Sequence, residues 1–129
     1  MKSELQKKLY DRFPHMFRGR DKSIQESLMP FVFECGDGWF DILWRLCEDI
    51  EKLTPLEEFE VSQVKEKFGT LRFYTWRSTD EIEKRICKAE RESAKTCEWC
   101  GEYGHRRNKE WIVTMCNGCY EEYLDGKRR

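Results

Sequence analysis

Apolar residues recur at helical spacing in two segments of the first half of the chain. They predict a first helix over residues 4–12, which Pro14 ends, and a second helix over residues 40–53, whose apolar side chains form one continuous stripe. Residues 30–34 form a short apolar run that favours a strand leading into a glycine-rich turn. The charged stretch before this strand predicts a loop with a short helical turn near residues 24–28.

Two β-prone runs within residues 59–76 predict a hairpin. The first run alternates apolar and polar residues, the second is rich in aromatic residues, and Gly69 occupies the turn position that needs a positive φ. Thr79 or Asp80 then caps a third helix, which is predicted to run through residue 95. This helix brings the chain directly to its first pair of cysteines.

The C-terminal segment combines two Cys-x-x-Cys pairs with a predicted strand and a predicted helix. Residues 111–115 are β-prone and run into the second pair, and residues 120–124 predict a short helix that Gly126 ends. A cysteine knuckle, a hairpin and a helix in this order are typical of a treble clef. The same order without the helix is typical of a zinc ribbon.

The elements together predict an α+β fold. Helices pack on a small antiparallel β-hairpin or sheet in a core over residues 1–95, and a zinc module over residues 96–129 packs with it as one compact unit. Charged residues make up 38% of the 129 residues and aromatic residues 14%, a composition that supports a folded protein and argues against disorder.

Charge and cysteine content narrow the classes of function further. The net charge is −1, with an acidic middle segment and basic ends, so the chain as a whole is not attracted to nucleic acid. Seven cysteines, an odd number, do not fit a secreted disulfide scaffold. The first residues lack the apolar core of a signal peptide, and no stretch has the length of a membrane span. We therefore expect a cytoplasmic protein with no membrane partner.

The most specific chemical signal is the set of four cysteines Cys97, Cys100, Cys116 and Cys119. Two intervening residues in each pair let both sulfurs of a tight turn face one ion, and four thiolates complete a tetrahedral Zn²⁺ site. Because no position is left for water, we expect the zinc to be structural. His105 lies between the pairs and could replace one ligand, but a surface position is the simpler interpretation.

Catalytic alternatives have less support in the sequence. A nuclease of the His-Asn-His type needs two histidines converging on a metal, whereas the chain contains only His15 and His105. Cys35, Cys47 and Cys87 fall in predicted structured segments and are interpreted as small core residues. A nucleophilic Cys35 at a helix start would need a base that the sequence does not supply. No catalytic residue is therefore assigned.

The turn at residues 35–39 is a first candidate binding surface. It precedes the second predicted helix, a geometry in which backbone amides can hold an anion, and Asp37 and Trp39 could contact a ligand or a partner. The alternative is an ordinary loop in which Asp37 or Gly38 caps the helix.

The hairpin is a second candidate surface. Lys65, Lys67 and Arg72 are interleaved with aromatic residues that include Tyr74, a combination that can hold phosphates and stack bases. The same pattern arises when one face of a hairpin is buried in the core and the other is solvated.

Several segments also resemble a group of small uncharacterised proteins encoded by bacteriophages and prophages. The resemblance rests on residues 9–14 (LYDRFP), 33–40 (FECGDGWF) and 63–74 (QVKEKFGTLRFY), together with the terminal cysteine pairs. It covers nearly the whole chain. It implies an accessory phage protein that acts in a bacterial cytoplasm.

Three hypotheses of function follow from these observations. The first is a non-enzymatic zinc protein that binds a host protein or complex and modulates host machinery or defence. The second is a nucleotide-sequestering or nucleic-acid-binding protein that uses the hairpin over residues 65–76. A hydrolase or nuclease ranks last.

Overall fold

The computed structural model describes residues 1–21, 32–53 and 57–128. Across these residues, helices and two small sheets make up an α+β fold. The α-helices are α1 (Ser3–Arg12), α2 (Phe40–Glu51), α3 (Asp80–Ser93) and α4 (Asn117–Arg128). The strands are β1 (Phe33–Glu34), β2 (Glu60–Lys67), β3 (Thr70–Trp76), β4 (His105–Arg107) and β5 (Val113–Met115).

The larger sheet has the strand order β1-β2-β3. β2 and β3 form the predicted antiparallel hairpin, with Val64 opposite Phe73 on the buried face and Lys65 opposite Arg72 on the other face. β1 adds to β2 in parallel, with Phe33 paired to Val64, so this sheet is mixed rather than purely antiparallel. The smaller sheet pairs β4 with β5 in antiparallel fashion.

The hairpin turn consists of two residues in the left-handed region. Phe68 has a φ of 54° and Gly69 a φ of 82°, two positive values as in a type I′ turn, whose twist matches that of the paired strands. The predicted positive φ of Gly69 is therefore confirmed. Phe68 is unexpected, because this position favours Asn, Asp or Gly and strains an aromatic residue.

One apolar core joins the helices to the inner face of the larger sheet. The buried stripe of α2 belongs to the same cluster as Val64 and Phe73 of the sheet. α1 joins this cluster, and the ring centroid of Phe13 just after it lies 5.3 Å from that of Trp44. The buried residues of α2 are Ile42, Leu43, Leu46, Cys47 and Ile50.

The edge of β3 that faces away from β2 is covered by α3. The amide of Leu71 donates to Ser93 Oγ at 2.9 Å, and the amide of Phe73 donates to Glu90 Oε2 at 3.2 Å. These side chains satisfy strand groups that could otherwise pair with another chain. α3 is thereby held along the hairpin, and its C-terminal end delivers the first cysteine pair to a defined place.

The ends of the helices follow the sequence predictions in part. Thr79 caps α3 by accepting the amide three residues later at 3.3 Å, which confirms one of the two predicted caps. α4 is longer than predicted, because it begins at Asn117 and continues through Gly126. A glycine inside a helix costs only about 1 kcal/mol relative to alanine, which is not enough to end it. The predicted helical turn at residues 24–28 lies outside the described residues, as does part of the predicted strand at residues 30–34.

We predict that Phe68→Asn stabilises the protein. Asn adopts a positive φ with less strain than Phe, so the free energy of unfolding should rise by about 0.5–1 kcal/mol in urea titrations. Gly69→Ala, at the neighbouring position with a φ of 82°, should instead lower the free energy of unfolding by about 1 kcal/mol. A loss of stability in Phe68→Asn would contradict the turn geometry.

Candidate functional site

The four predicted cysteines converge in the structure. Their sulfur atoms all lie within 4.8 Å of one another, and Cys100 Sγ is 3.7 Å from Cys116 Sγ. In a tetrahedral site with metal–sulfur bonds of about 2.3 Å, the sulfurs lie about 3.8 Å apart. The spacing fits one ion, so Cys97, Cys100, Cys116 and Cys119 could bind a metal.

Backbone amides shape both knuckles. In the first, the Gly101 amide donates to the Cys97 carbonyl at 2.9 Å, and the φ of 83° at Gly101 closes the turn. In the second, the Cys119 amide donates to Cys116 Sγ at 3.4 Å. This hydrogen bond is the largest cause that lowers the pKa of Cys116 to about 7. Burial instead raises the pKa of Cys119, so the second pair contains one thiol that loses its proton easily and one that does not.

The other candidate side chains lie apart from this cluster. His105 is exposed, and its ring packs edge-on against Tyr103 at a centroid distance of 5.0 Å. Burial raises the pKa of Cys35 to about 12, which argues against a nucleophilic role. Cys47 is buried as predicted, but the prediction of a core position is wrong for Cys87, which is exposed on α3.

The first knuckle rests on the glycine turn that precedes α2. The Gly38 amide donates to the Glu98 carbonyl at 2.8 Å, and the Gly36 amide donates to Glu98 Oε2 at 2.9 Å. A Cβ on Gly36 would lie 2.3 Å from the Glu98 carbonyl oxygen, and a Cβ on Gly38 would lie 2.0 Å from that of Cys97. Only glycine permits this approach of two backbones. We call residues 36–38 the knuckle seat.

The knuckle seat overturns the interpretation of this turn as an anion-binding loop. Both amides that an anion would need, those of Gly36 and Gly38, already bind Glu98. The predicted cap is also wrong, because the N-cap of α2 is Trp39 and not Asp37 or Gly38. The helix follows a 3₁₀ turn at Asp37–Trp39, and its N-cap makes no side-chain hydrogen bond.

Trp39 differs from its predicted role as a contact for a ligand or a partner, whereas Asp37 keeps a partly exposed carboxylate. Trp39 is fully buried, and its indole N–H donates to the Thr96 carbonyl at 2.9 Å, so it belongs to the core and offers no surface. Asp37 accepts the Lys2 amide at 2.8 Å, and its carboxylate lies 3.8 Å from Lys2 Nζ. Asp37 therefore holds the start of α1 to the knuckle seat.

Thr114 joins the cysteine module to the hairpin turn. Its hydroxyl donates to the Gly69 carbonyl at 2.6 Å, and its own carbonyl accepts the Glu98 amide at 3.0 Å. Thr114 is fully buried. β5 thus connects the hairpin turn, the first knuckle and the second cysteine pair.

The carboxylate of Glu98 is the main buried charge at this junction. Burial raises its pKa to about 7, and the negative charge of Glu66 adds to this rise. The hydrogen bond from the Gly36 amide acts in the opposite direction. The charged form of the Glu98 carboxylate is therefore disfavoured in these surroundings.

The remaining four predicted binding residues share the outer face of the larger sheet. Lys65 and Arg72 are directly opposite on β2 and β3, and Lys65 Nζ lies 5.8 Å from the ring centroid of Tyr74. Lys67 lies on the same face toward the turn. Trp76, two residues after Tyr74, extends the face and is 63% exposed. We call these five residues the basic sheet face.

Sequence reasoning missed the knuckle seat and the link made by Thr114. A Gly-x-Gly pattern signals either a turn or the close approach of another backbone, and the sequence predictions consider only the turn. The buried hydroxyl of Thr114 carries no signal in the sequence, because its acceptor is the carbonyl of a residue in a distant turn.

Comparisons of the chain with protein-family models, with curated proteins and with solved structures find no match. Among the described residues, no helix has the length and apolar character needed to cross a membrane.

We predict that Gly38→Ala displaces the first knuckle. The added Cβ would meet backbone atoms at 2.0 Å and 2.6 Å, which cannot rotate away, so the free energy of unfolding should fall by about 2–3 kcal/mol. The control is Gly118→Ala, where no atom lies within 4 Å of the new Cβ and alanine favours the helix. Urea denaturation of both variants checks this prediction, which an unchanged stability of Gly38→Ala would contradict.

Proposed function

We propose that the protein is a non-enzymatic zinc protein that binds a host macromolecule and modulates host machinery or defence. The observation that carries this proposal is the basic sheet face, where cationic side chains lie beside exposed aromatic ones. Tyr74 is 42% exposed and Trp76 is 63% exposed. Large aromatic side chains that remain in water beside Arg are typical of surfaces that bind partners.

The resemblance of the chain to phage and prophage proteins supports the setting of this function. An accessory phage protein of the anti-defence inhibitor type would act in the bacterial cytoplasm. It would bind a host protein or complex through a preformed surface, and the cysteine module would keep that surface in place through its contact with the hairpin turn.

The proposed metal is zinc, and the proposed role of the site is structural. Four thiolates at this spacing favour Zn²⁺, which would supply folding energy and leave no ligand position for a reacting water. α4 begins at Asn117 and carries Cys119 in its first turn, whereas Cys116 directly follows β5. This order supports a treble-clef type rather than a zinc ribbon.

A second candidate function is the binding of nucleotides or single-stranded nucleic acid on the same face. Arg72 Nε is buried and has no hydrogen-bond partner among the described residues. A buried donor without an acceptor costs about 1–3 kcal/mol. Because Nε itself is covered, a phosphate would instead meet the paired positive charges of Lys65 and Arg72 on this face of the sheet. Tyr74 and Trp76 lie on the same side of β3 and would stack bases. A hydrolase or nuclease remains the last alternative.

We expect a host partner to bind through the basic sheet face. The tagged chain is expressed in bacterial hosts, and partners recovered with it are quantified by mass spectrometry. Recovery should fall about tenfold or more for the combined change Lys65→Ala, Arg72→Ala and Tyr74→Ala. Lys84→Ala combined with Arg91→Ala removes two charges from α3 and serves as the control. Failure to recover a partner from permissive and resistant hosts, or equal recovery by both variants, would contradict the proposal.

Salt dependence separates the second candidate from the first. If phosphates dominate, the affinity of the purified chain for a single-stranded oligonucleotide should fall steeply with salt, by a logarithmic slope of about −0.7 for each phosphate contact. Lys65→Ala combined with Arg72→Ala should reduce both the affinity and the slope. An affinity for oligonucleotides that these two changes leave untouched would eliminate the nucleic-acid function.

A further inference from the structure

A groove with a cavity volume of about 600 Å³ lies where the hairpin turn meets the cysteine module. One wall comes from the hairpin and the other from the segment before β5 and from α4. We call it the turn groove, and it is lined by Glu66, Lys67, Phe68, Glu110, Trp111, Ile112, Val113 and Tyr123. None of these residues belongs to the knuckle seat, and only Lys67 is shared with the basic sheet face.

Phe68 is an independent sign that the turn groove has a function. Its φ of 54° strains an aromatic residue in a turn that Asn or Asp would form more easily. The side chain is 55% exposed, so burial in the core offsets little of this strain. Residues held in strained backbone conformations cluster at binding sites. The location of Phe68 in the groove matches that pattern.

The apolar surface of the turn groove continues on the cysteine module. Trp111 is 62% exposed, and the neighbouring Ile112 and Val113 supply aliphatic surface along the groove. Tyr123 supplies an aromatic surface from α4, and its ring lies 6.0 Å from that of Trp99. A groove with apolar walls and room for one large side chain accommodates a protruding side chain of a peptide better than it accommodates a flat protein surface.

The charges of the groove select the kind of peptide. Among the described side chains, two carboxylates, those of Glu66 and Glu110, line the groove, and Lys67 is the one cation. Lys67 Nζ lies 5.6 Å from the ring centroid of Phe68. A cationic partner is therefore favoured, and the phosphates of a nucleic acid are not.

We propose that the turn groove binds an extended segment of a partner protein that presents a large apolar side chain flanked by Lys or Arg. This inference rests on the proposed function as a binding protein and adds a second contact surface, whose chemistry differs from that of the basic sheet face. The groove forms only when the module is docked, because the Thr114 hydroxyl holds the Gly69 carbonyl at 2.6 Å beside Phe68. Loss of the metal should therefore abolish peptide binding.

The test uses synthetic nine-residue peptides and the metal-loaded full chain. The basic peptide has a central Leu-Trp pair flanked on both sides by Arg and Lys, the acidic peptide replaces the flanks by Glu, and the glycine peptide replaces the central pair by Gly. Binding is followed by NMR through the indole N–H signal of Trp111. The basic peptide should shift this signal, and both others should bind about tenfold more weakly or less.

Variants of the chain locate the site. Because Trp111→Ala removes the NMR probe, binding to the variants is measured by the fluorescence anisotropy of a dye-labelled basic peptide. Trp111→Ala should weaken binding of this peptide about tenfold. Tyr103→Ala removes an aromatic side chain that is 66% exposed outside the groove and should have less than a twofold effect. Glu110→Gln keeps the size of the side chain and should weaken binding several-fold at low salt. Glu110→Gln keeps the test valid if Trp111→Ala does not fold.

Four outcomes would overturn the inference. The first is the absence of a shift at about 1 mM basic peptide, and the second is equal binding of the acidic peptide. The third is displacement of the peptide from Trp111 by an oligonucleotide. The fourth is a Trp111 signal that shifts with the concentration of the protein alone, which would place a second copy in the groove. Lys84→Ala combined with Arg91→Ala, which removes two charges from α3, should leave peptide binding intact. Peptide binding without a cellular partner would refute the proposed function alone, and a cellular partner without peptide binding would refute this inference alone.

Discussion

The hydrogen bond from the Gly38 amide to the Glu98 carbonyl, at 2.8 Å, is the contact on which the rest of the structure depends. Two backbones meet there at distances that exclude a Cβ on the knuckle seat. The carbonyl belongs to the loop between Cys97 and Cys100, so the shape of the cysteine cluster determines whether the contact can form. A metal that organises the cysteines therefore also organises the junction between the module and the α+β core.

The consequences of this contact extend to both candidate surfaces. Glu98 binds the knuckle seat with its carbonyl and its carboxylate, while its amide binds Thr114, which in turn holds Gly69 in the hairpin turn. The hairpin is fixed on its other side by α3, whose Ser93 accepts an edge amide of β3. The basic sheet face and the turn groove are thus both presented by one hairpin. A protein that binds through either surface would need this hairpin to be rigid, and a metal bound by the four cysteines would help to hold it.

The features that the sequence predicts correctly are determined by residues that are close together in the chain. The hairpin follows from β-prone runs around Gly69, the third helix from its cap at Thr79, and the cysteine cluster from a spacing that lies within each knuckle. The errors arise where a distant residue decides. Gly36 and Glu98 are 62 positions apart, so the turn looked like a helix cap or an anion site. The burial of Trp39 and its hydrogen bond to Thr96 depend on the docking of the cysteine module against the core. The sequence alone does not show this docking, so it predicts a Trp39 that could contact a partner.

Hydrogen exchange at the knuckle seat tests the central claim most directly. The amide of Gly38 is measured by NMR in the metal-loaded chain and after removal of the metal with a chelator. If the metal centre holds the module on the core, the Gly38 amide should lose its protection together with the amides of the cysteine module, while the amides shared by β2 and β3 keep more of theirs. A Gly38 amide that stays protected while the amides around the four cysteines exchange freely would contradict the account.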